Sequence, residues 1–228
     1  MCAMPIPVRL FHITSIDNLA AIFQQGELVS KTRGEALHLG YHNIAHAGAQ
    51  SKRAARAVID PPGGTIHDYV PFYFAPRSPM LSAIHHGQVA GCNYGQSDIV
   101  HFELLVRRVI DENAEIVFYD RNATKAYSVP YTDPYQLKNA IAWDLLTEPP
   151  TLDGFCRYFH DRHEPAKYMD RCEKRQAEFL VKKAVPIDWF TRIGVMNDHA
   201  AQLVLGLAEA AGVNVSVQIM PEWYFQER

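Results

Sequence analysis

Short apolar stretches that alternate with polar residues dominate this chain, and a few segments carry a helical repeat instead. Val8–Thr14 (VRLFHIT) holds β-branched and aromatic residues and predicts a strand. Ser15 stands where an N-cap belongs, Ile16, Leu19, Ala20 and Phe23 follow at helical spacing, and Gly26 falls at C′. Val29–Gly40 is polar and broken by two glycines, so it reads as a loop. Tyr41–Val58 reads as a helix with Lys52, Arg53 and Arg56 near its end. Asp68–Ala75 (DYVPFYFA) predicts a strand in which Pro71, lacking an N–H, argues for an edge position or a bulge. Met80–His86 reads as a short helix.

Ile99–Val106 and Glu115–Tyr119 predict two more strands, the second ending in the turn signal Asp120-Arg121-Asn122. From Asn122 to Glu173 the pattern weakens. Pro130, Pro134, Pro149, Pro150 and Pro165 interrupt it, leaving two amphipathic pieces, Tyr135–Leu146 and Leu152–His160. A loop region of that length in a compact domain is usually functional or mobile. Past it, Ile193–Met196 predicts a strand. Asn197 caps a helix with Ala201, Val204, Leu205 and Ala208 on one face, and Val213, Val215, Val217 and Ile219 alternate as a last strand. Strands and helices without regular βαβ alternation predict an α+β fold, and 228 residues suit a single domain spanning 1–228.

Composition narrows the function classes. Hydrophobic content of 48% is ordinary for a globular protein, and no apolar run approaches the roughly 18 residues of a membrane span. The N-terminus lacks a signal-peptide pattern, and the four cysteines form no C-x-x-C pair; together these predict a cytoplasmic protein with free thiols and no membrane partner. A net charge of −3 removes any global bias toward nucleic acid. A nucleic-acid contact then needs a local basic patch: Lys52/Arg53/Arg56, Arg171/Lys174/Arg175 or Lys182/Lys183.

The strongest chemical candidate is Glu178. In RCEKRQAEFLV (171–181), Ala177, Phe179 and Val181 fall on one strand face and Gln176, Glu178 and Leu180 on the other, which sets a carboxylate inside an apolar run behind a basic group. The competing account is an ordinary edge strand whose glutamate faces water. His12 and Thr14 close the first strand. His38, His42 and His46 repeat every four residues and on a helix would line one face as in H-x-x-x-H zinc sites, yet no glutamate follows the first histidine and no third ligand motif is evident. No metal is expected.

FHIT at the first strand, SKRAAR closing a helix, DYVPFYFAPRSPML and KRQAEFLV occur in that order, and with them the chain resembles the DarT family of bacterial toxins from about Phe11 to Val195. That resemblance implies an ADP-ribosyltransferase-like split antiparallel β-core with flanking helices, NAD as ADP-ribose donor, and single-stranded DNA as acceptor, with thymine as the modified base and guanine as the alternative. It implies a DarG-type macrodomain antitoxin as a separate chain. Carried over by motif, Glu178 is the catalytic glutamate and Arg53 the functional arginine, in the family a proton acceptor. His12, Ile13, Thr14, Arg53, Tyr73 and Met80 contact NAD; Arg77, Arg171, Lys174 and Arg175 face nucleic acid, and residues 122–175 recognise the acceptor. The chain departs from many relatives at Tyr119–Ala123, which reads YDRNA for a TDGNA-like turn, and in an arginine-poorer RCEKRQAE.

The chemistry agrees with these roles. Breaking the nicotinamide–ribose bond leaves an oxocarbenium-like ribose, which one carboxylate stabilises, and neutral nicotinamide departs without an acid. A guanidinium is effectively always protonated. Arg53 therefore either holds the pyrophosphate and an anionic base or sits in an unusually desolvated place, with Glu178 as the alternative proton acceptor. Two other readings remain at this point: an ADP-ribosyltransferase acting on RNA or protein, and a non-catalytic NAD- or nucleic-acid-binding module.

Overall fold

The computed structural model describes residues 4–44 and 47–226. In chain order the elements are β1 (Arg9–Ser15), α1 (Leu19–Gln25), β2 (Glu27–Val29), α2 (Lys31–Ala36), α3 (Ala47–Ala55), β3 (Tyr69–Tyr73), α4 (Pro79–His85), β4 (Ile99–Leu105), α5 (Val106–Asp111) and β5 (Ile116–Tyr119). Next come β6 (Pro130–Tyr131), α6 (Leu137–Ala140), α7 (Trp143–Leu146), β7 (Thr151–Leu152), β8 (Phe155–Cys156), α8 (Arg171–Lys174), β9 (Glu178–Lys182), β10 (Ala184–Pro186), β11 (Phe190–Val195), α9 (Asp198–Ala210) and β12 (Val217–Ile219). The fold is α+β, as its sequence pattern predicts. Among the described residues no helix is long and apolar enough to cross a membrane.

Among the described residues eight strands form one sheet in the order β12-β11-β4-β1-β3-β9-β5-β6, antiparallel except for the β11–β12 pair. The sheet divides near its middle. β1 runs in register with β4 over its whole length but meets β3 only at Phe11↔Tyr73. Pro71 explains that divergence: it has no N–H to give the ladder, and its carbonyl instead lies 2.8 Å from Nδ1 of His12. The expected edge position for Pro71 is therefore corrected. β3 is an interior strand, and the proline sits where two halves of the sheet part.

Period-two burial places the core. Phe72, Phe118, Phe179 and Val181 pack on one face, while Tyr69, Val117, Tyr119 and Leu180 form a second cluster on the other. Trp223 closes the β1/β4 side, its ring edge-on to Phe11 at 5.0 Å and its Nε1–H bonded to Asp153 at 2.7 Å.

Helix ends follow the side chains set to cap them. Ser15 accepts from Asp17 N–H, Gly26 ends α1 at φ 70°, and Asn197 caps α9. Three expectations change. Val29–Gly40 is not all loop, because Ser30 caps α2. Tyr41–Val58 is not one helix, because residues 41–44 are irregular and α3 spans Ala47–Ala55. On α9 the fully buried positions are Ala200, Val204 and Ala208, while Leu205 is exposed. The proline-interrupted stretch 122–173 is built from one-turn helices and two-residue strands.

Candidate active site

Strand register brings three side chains into a row. Glu178 opens β9 opposite Tyr73 of β3 on one side and Tyr119 of β5 on the other, so all three emerge on one face. β9 lies between β3 and β5, and Glu178 is only 1% exposed. The water-facing edge glutamate is thereby excluded. Two tyrosines are suited to border a carboxylate in an apolar row: burial and the charge of Glu178 raise the Tyr73 phenol well above its usual range, and burial likewise raises Tyr119. Both stay protonated at neutral pH.

Arg53, on the last turn of α3, reaches down to this row. Its Nη1 donates to Oε2 of Glu178 at 2.8 Å. Burial disfavours the guanidinium charge, but the adjacent carboxylate outweighs it and the net pKa shift of Arg53 is upward. The pair keeps unspent capacity, since Nη2 of Arg53 and Oε1 of Glu178 are buried without a hydrogen-bond partner among the described residues. Groups of that kind are costly to leave unpaired and mark a place where a ligand can supply partners.

A cleft of about 1030 Å³, its open mouth included, lies beside Arg53 and is bordered by His12, Ile13, Thr14 and Met80. The acceptor at Pro71 fixes His12 with its proton on Nδ1, leaving the Nε2 lone pair free. Burial, with the Arg53 charge adding to it, pulls the His12 pKa down to about 4, so the imidazole is neutral under ordinary conditions. Thr14 Oγ1 accepts from Asn18 Nδ2 at 2.9 Å. Asn18 also grips the backbone of His42, accepting from its N–H at 2.6 Å and donating to its carbonyl at 2.9 Å. The cleft wall at 39–44 is thus tied to the first strand.

The basic residues assigned to nucleic acid sit elsewhere. Arg77 is 3% exposed and donates to the carbonyls of Phe155, Cys156 and Glu222. Arg171 and Arg175 are 1% and 2% exposed, while Lys174 pairs with Asp170 at the surface. One helical turn and the cover formed by residues 158–168 turn both arginines inward, so of the 171/174/175 cluster Lys174 is the member at the surface. The histidine stripe is corrected. His38 adopts φ 54° after α2, and His42 lies in an irregular stretch, so they share no helix face; His46 lies outside the described residues.

Two residues of the site escape a reading of the sequence. Tyr119 reaches Glu178 only through the pairing of β5 with β9, which no local signal encodes. Asn18 had a local signal, its position four residues after Thr14, but a side chain clamping a distant backbone leaves no periodicity.

Comparison with known proteins adds an independent line. The family model for the ssDNA thymidine ADP-ribosyltransferase, DarT, matches residues 11–225. A DNA ADP-ribosyl transferase of Thermus sp. (strain 2.9) is 32% identical over 223 residues, covering 97% of this chain and 98% of that protein. A protein of the same description from Escherichia coli O127:H6 is 29% identical over 221 residues, covering 97% of this chain and 95% of its own length. Among solved structures, Thermus sp. 2.9 DarT in complex with ADP-ribosylated ssDNA superposes with a TM-score of 0.86 at 31% identity, covering 98% of this chain and 99% of that one. The same Thermus protein in complex with NAD+ gives 0.81 at 30% identity, covering 97% and 99%.

Proposed function

The chain belongs to the DarT family, and from that premise we propose that its cleft binds NAD and transfers ADP-ribose to thymine in single-stranded DNA, as the toxin of a toxin–antitoxin pair. The observation that carries the reading is the buried Arg53–Glu178 pair beside the cleft, with Oε1 and Nη2 each left to a ligand.

Those groups fit the donor. Glu178 offers a carboxylate oxygen to a ribose hydroxyl and stabilises the positive charge that grows on the ribose as the bond from C1′ to the nicotinamide nitrogen breaks. Nicotinamide leaves with the bonding electrons and is neutral. A thymine ring nitrogen forms the new bond to C1′ and gives up its proton. Because the ion pair holds Arg53 charged, Arg53 steadies the anionic base and Glu178 receives the proton. His12, neutral and fixed through Nδ1, presents Nε2 as an acceptor on the nicotinamide side, with Ile13, Thr14 and Met80 bordering the same cleft and Tyr73 beside Glu178. An unpaired base meets such a site without the cost of leaving a duplex stack. The counterpart is a separate macrodomain protein that removes the modification, testable by whether its co-expression restores growth.

Incubation with labelled NAD and single-stranded oligonucleotides of differing base content tests the reaction. Label on thymine-containing strands, lost with Glu178→Ala, is the expected result. Transfer to guanine alone, or to RNA or protein and not to DNA, sinks the thymine assignment.

A further inference from the structure

Residues 157–165 hold no helix or strand, and the two strands before them, β7 and β8, are two residues each. A stretch with so few ladder bonds takes its position from whatever packs on it. Here that is the C-terminal segment. Trp223 donates through Nε1 to Asp153 at 2.7 Å. One guanidinium, that of Arg77, gathers the carbonyl of Glu222 together with those of Phe155 and Cys156. The Phe225 ring then meets Phe159 edge-on, with centroids 5.2 Å apart and planes at 87°.

Phe225 is itself clamped, although it belongs to no strand. Oε1 of the buried Gln96 accepts from the Phe225 N–H at 2.8 Å, and Nε2 donates to the Phe225 carbonyl at 2.8 Å. A side-chain amide that satisfies both backbone groups of one residue stands in for a strand partner. The second amide hydrogen of Gln96 goes to Nδ1 of His85 at 2.9 Å, which sets the His85 proton on Nε2. The His85 ring in turn stacks on Phe225, 5.9 Å away and tilted by 14°.

Phe159 also touches the turn that leads into the catalytic strand. Its ring centroid lies 5.6 Å from Cζ of Arg175, which precedes Glu178 by three residues. We propose that Phe225, clamped by Gln96, is a positioning residue for the acceptor segment: through Phe159 it holds residues 153–160 in the arrangement that receives the DNA strand. The proposal rests on the DNA-acceptor reading above. Without the clamp that arrangement is one of several, and apparent affinity for the acceptor falls with the fraction of molecules that keep it. The described residues that border the NAD cleft include neither Gln96, nor residues 153–160, nor Phe225, so donor binding does not share the loss.

Transfer kinetics on a thymine-containing single-stranded oligonucleotide, NAD affinity by calorimetry and amide hydrogen exchange are measured on the full chain. The proteins are wild type, Phe225→Ala, Phe225→Tyr, Phe159→Ala and the double alanine variant. Loss of one edge-on aromatic pair converts to a factor of about two to ten in a population. Phe225→Ala should raise the oligonucleotide KM by that factor and speed exchange at residues 153–160, with kcat and NAD affinity near wild type. Phe225→Tyr keeps the ring and should restore both. In the Phe159→Ala background the Phe225 substitution should add nothing further. An unchanged KM and exchange in Phe225→Ala overturns the proposal, and so do additive effects in the double variant. An equal loss of NAD affinity or of kcat overturns it too, since the residue then supports the whole fold. If Phe225→Ala does not fold, Phe225→Leu, which keeps apolar volume without the aromatic edge, takes its place. Wild type that labels no single strand removes the parent reading and this one with it; labelled strands with an indifferent Phe225→Ala remove only the positioning role.

Discussion

Arg53 and Glu178 meet at 2.8 Å although 125 positions separate them in the chain, and each keeps one buried polar atom unpaired. An ion pair with spare capacity on both sides is poised to take a ligand between its members. Two consequences follow for substitutions at these positions.

Glu178→Gln keeps shape and one acceptor oxygen while removing the charge that opposes a cationic ribose. Single-turnover transfer should fall by about 10²–10³. NAD affinity by calorimetry should change far less, because the lost interaction belongs to the transition state. A large loss of affinity with an unchanged rate constant would place Glu178 in ground-state binding instead.

Arg53→Ala strands a carboxylate that is 1% exposed, and breaking a buried pair in this way costs about 3–5 kcal/mol. Arg53→Lys should retain most of that stability, since a cation remains, but not the second donor that the fork holds at Nη2. Chemical denaturation of the two variants checks the ranking. Equal stabilities would mean that solvent or another cation replaces Arg53.

Much of this centre is legible in the sequence, for physical reasons that differ by residue. The alternation Ala177-Glu178-Phe179-Leu180-Val181 fixes which face Glu178 occupies, because a period of two is a local property. Its burial is not local: it depends on β9 lying between β3 and β5, a matter of long-range pairing. Arg175 shows the same limit. Composition marks RCEKR as a local basic patch and says nothing of its burial; one helical turn and the rings of residues 158–168 turn two of its arginines inward. Pro71 signals a missing ladder bond correctly, while the sequence leaves open whether the break lies at an edge or at the split beside β1.

Acidification should destabilise the fold through two histidines. Burial lowers His12 to about 4 and His101 to about 3, against 6.5 in the unfolded chain. Between those values the unfolded state binds more protons, so stability is fully present above about pH 6.5 and falls as pH drops toward 4. Each residue contributes about 1.4 kcal/mol per pH unit in that window. Calorimetric melting at pH 7 and pH 5 should show a marked drop that His101→Phe makes shallower. A melting temperature indifferent to pH over that range would refute neutral burial of both rings.

Gly194 is a packing requirement. A Cβ at this position would stand 2.1 Å from Cζ3 and 2.3 Å from Cε3 of Trp223, both inside contact distance. Trp223 has little room to yield, held by Asp153 through Nε1 and by Phe11 through its ring. Gly194→Ala should therefore cost about 3 kcal/mol or more through overpacking. Urea unfolding measures it, and Trp223→Phe in the same background should recover part of the loss.

Asn18 gives the sharpest test of how the cleft is assembled, because its hydrogen bonds among the described residues join Thr14 to the backbone of His42. Its side chain ties Thr14 to both backbone polar groups of His42, holding the wall at 39–44 against β1. Asn18→Ala releases that wall and leaves the Arg53–Glu178 pair untouched. Losing two or three hydrogen bonds of about 1 kcal/mol each, shared between NAD binding and folding, should raise KM for NAD about tenfold while kcat stays near wild type. Asn18→Asp separates the two ends of the clamp. It still accepts from the His42 N–H but no longer donates to Thr14 and the His42 carbonyl, so its KM should fall between wild type and alanine. A kcat defect as large as the KM defect would mean that the 39–44 wall positions the reacting bond and not only the donor as a whole.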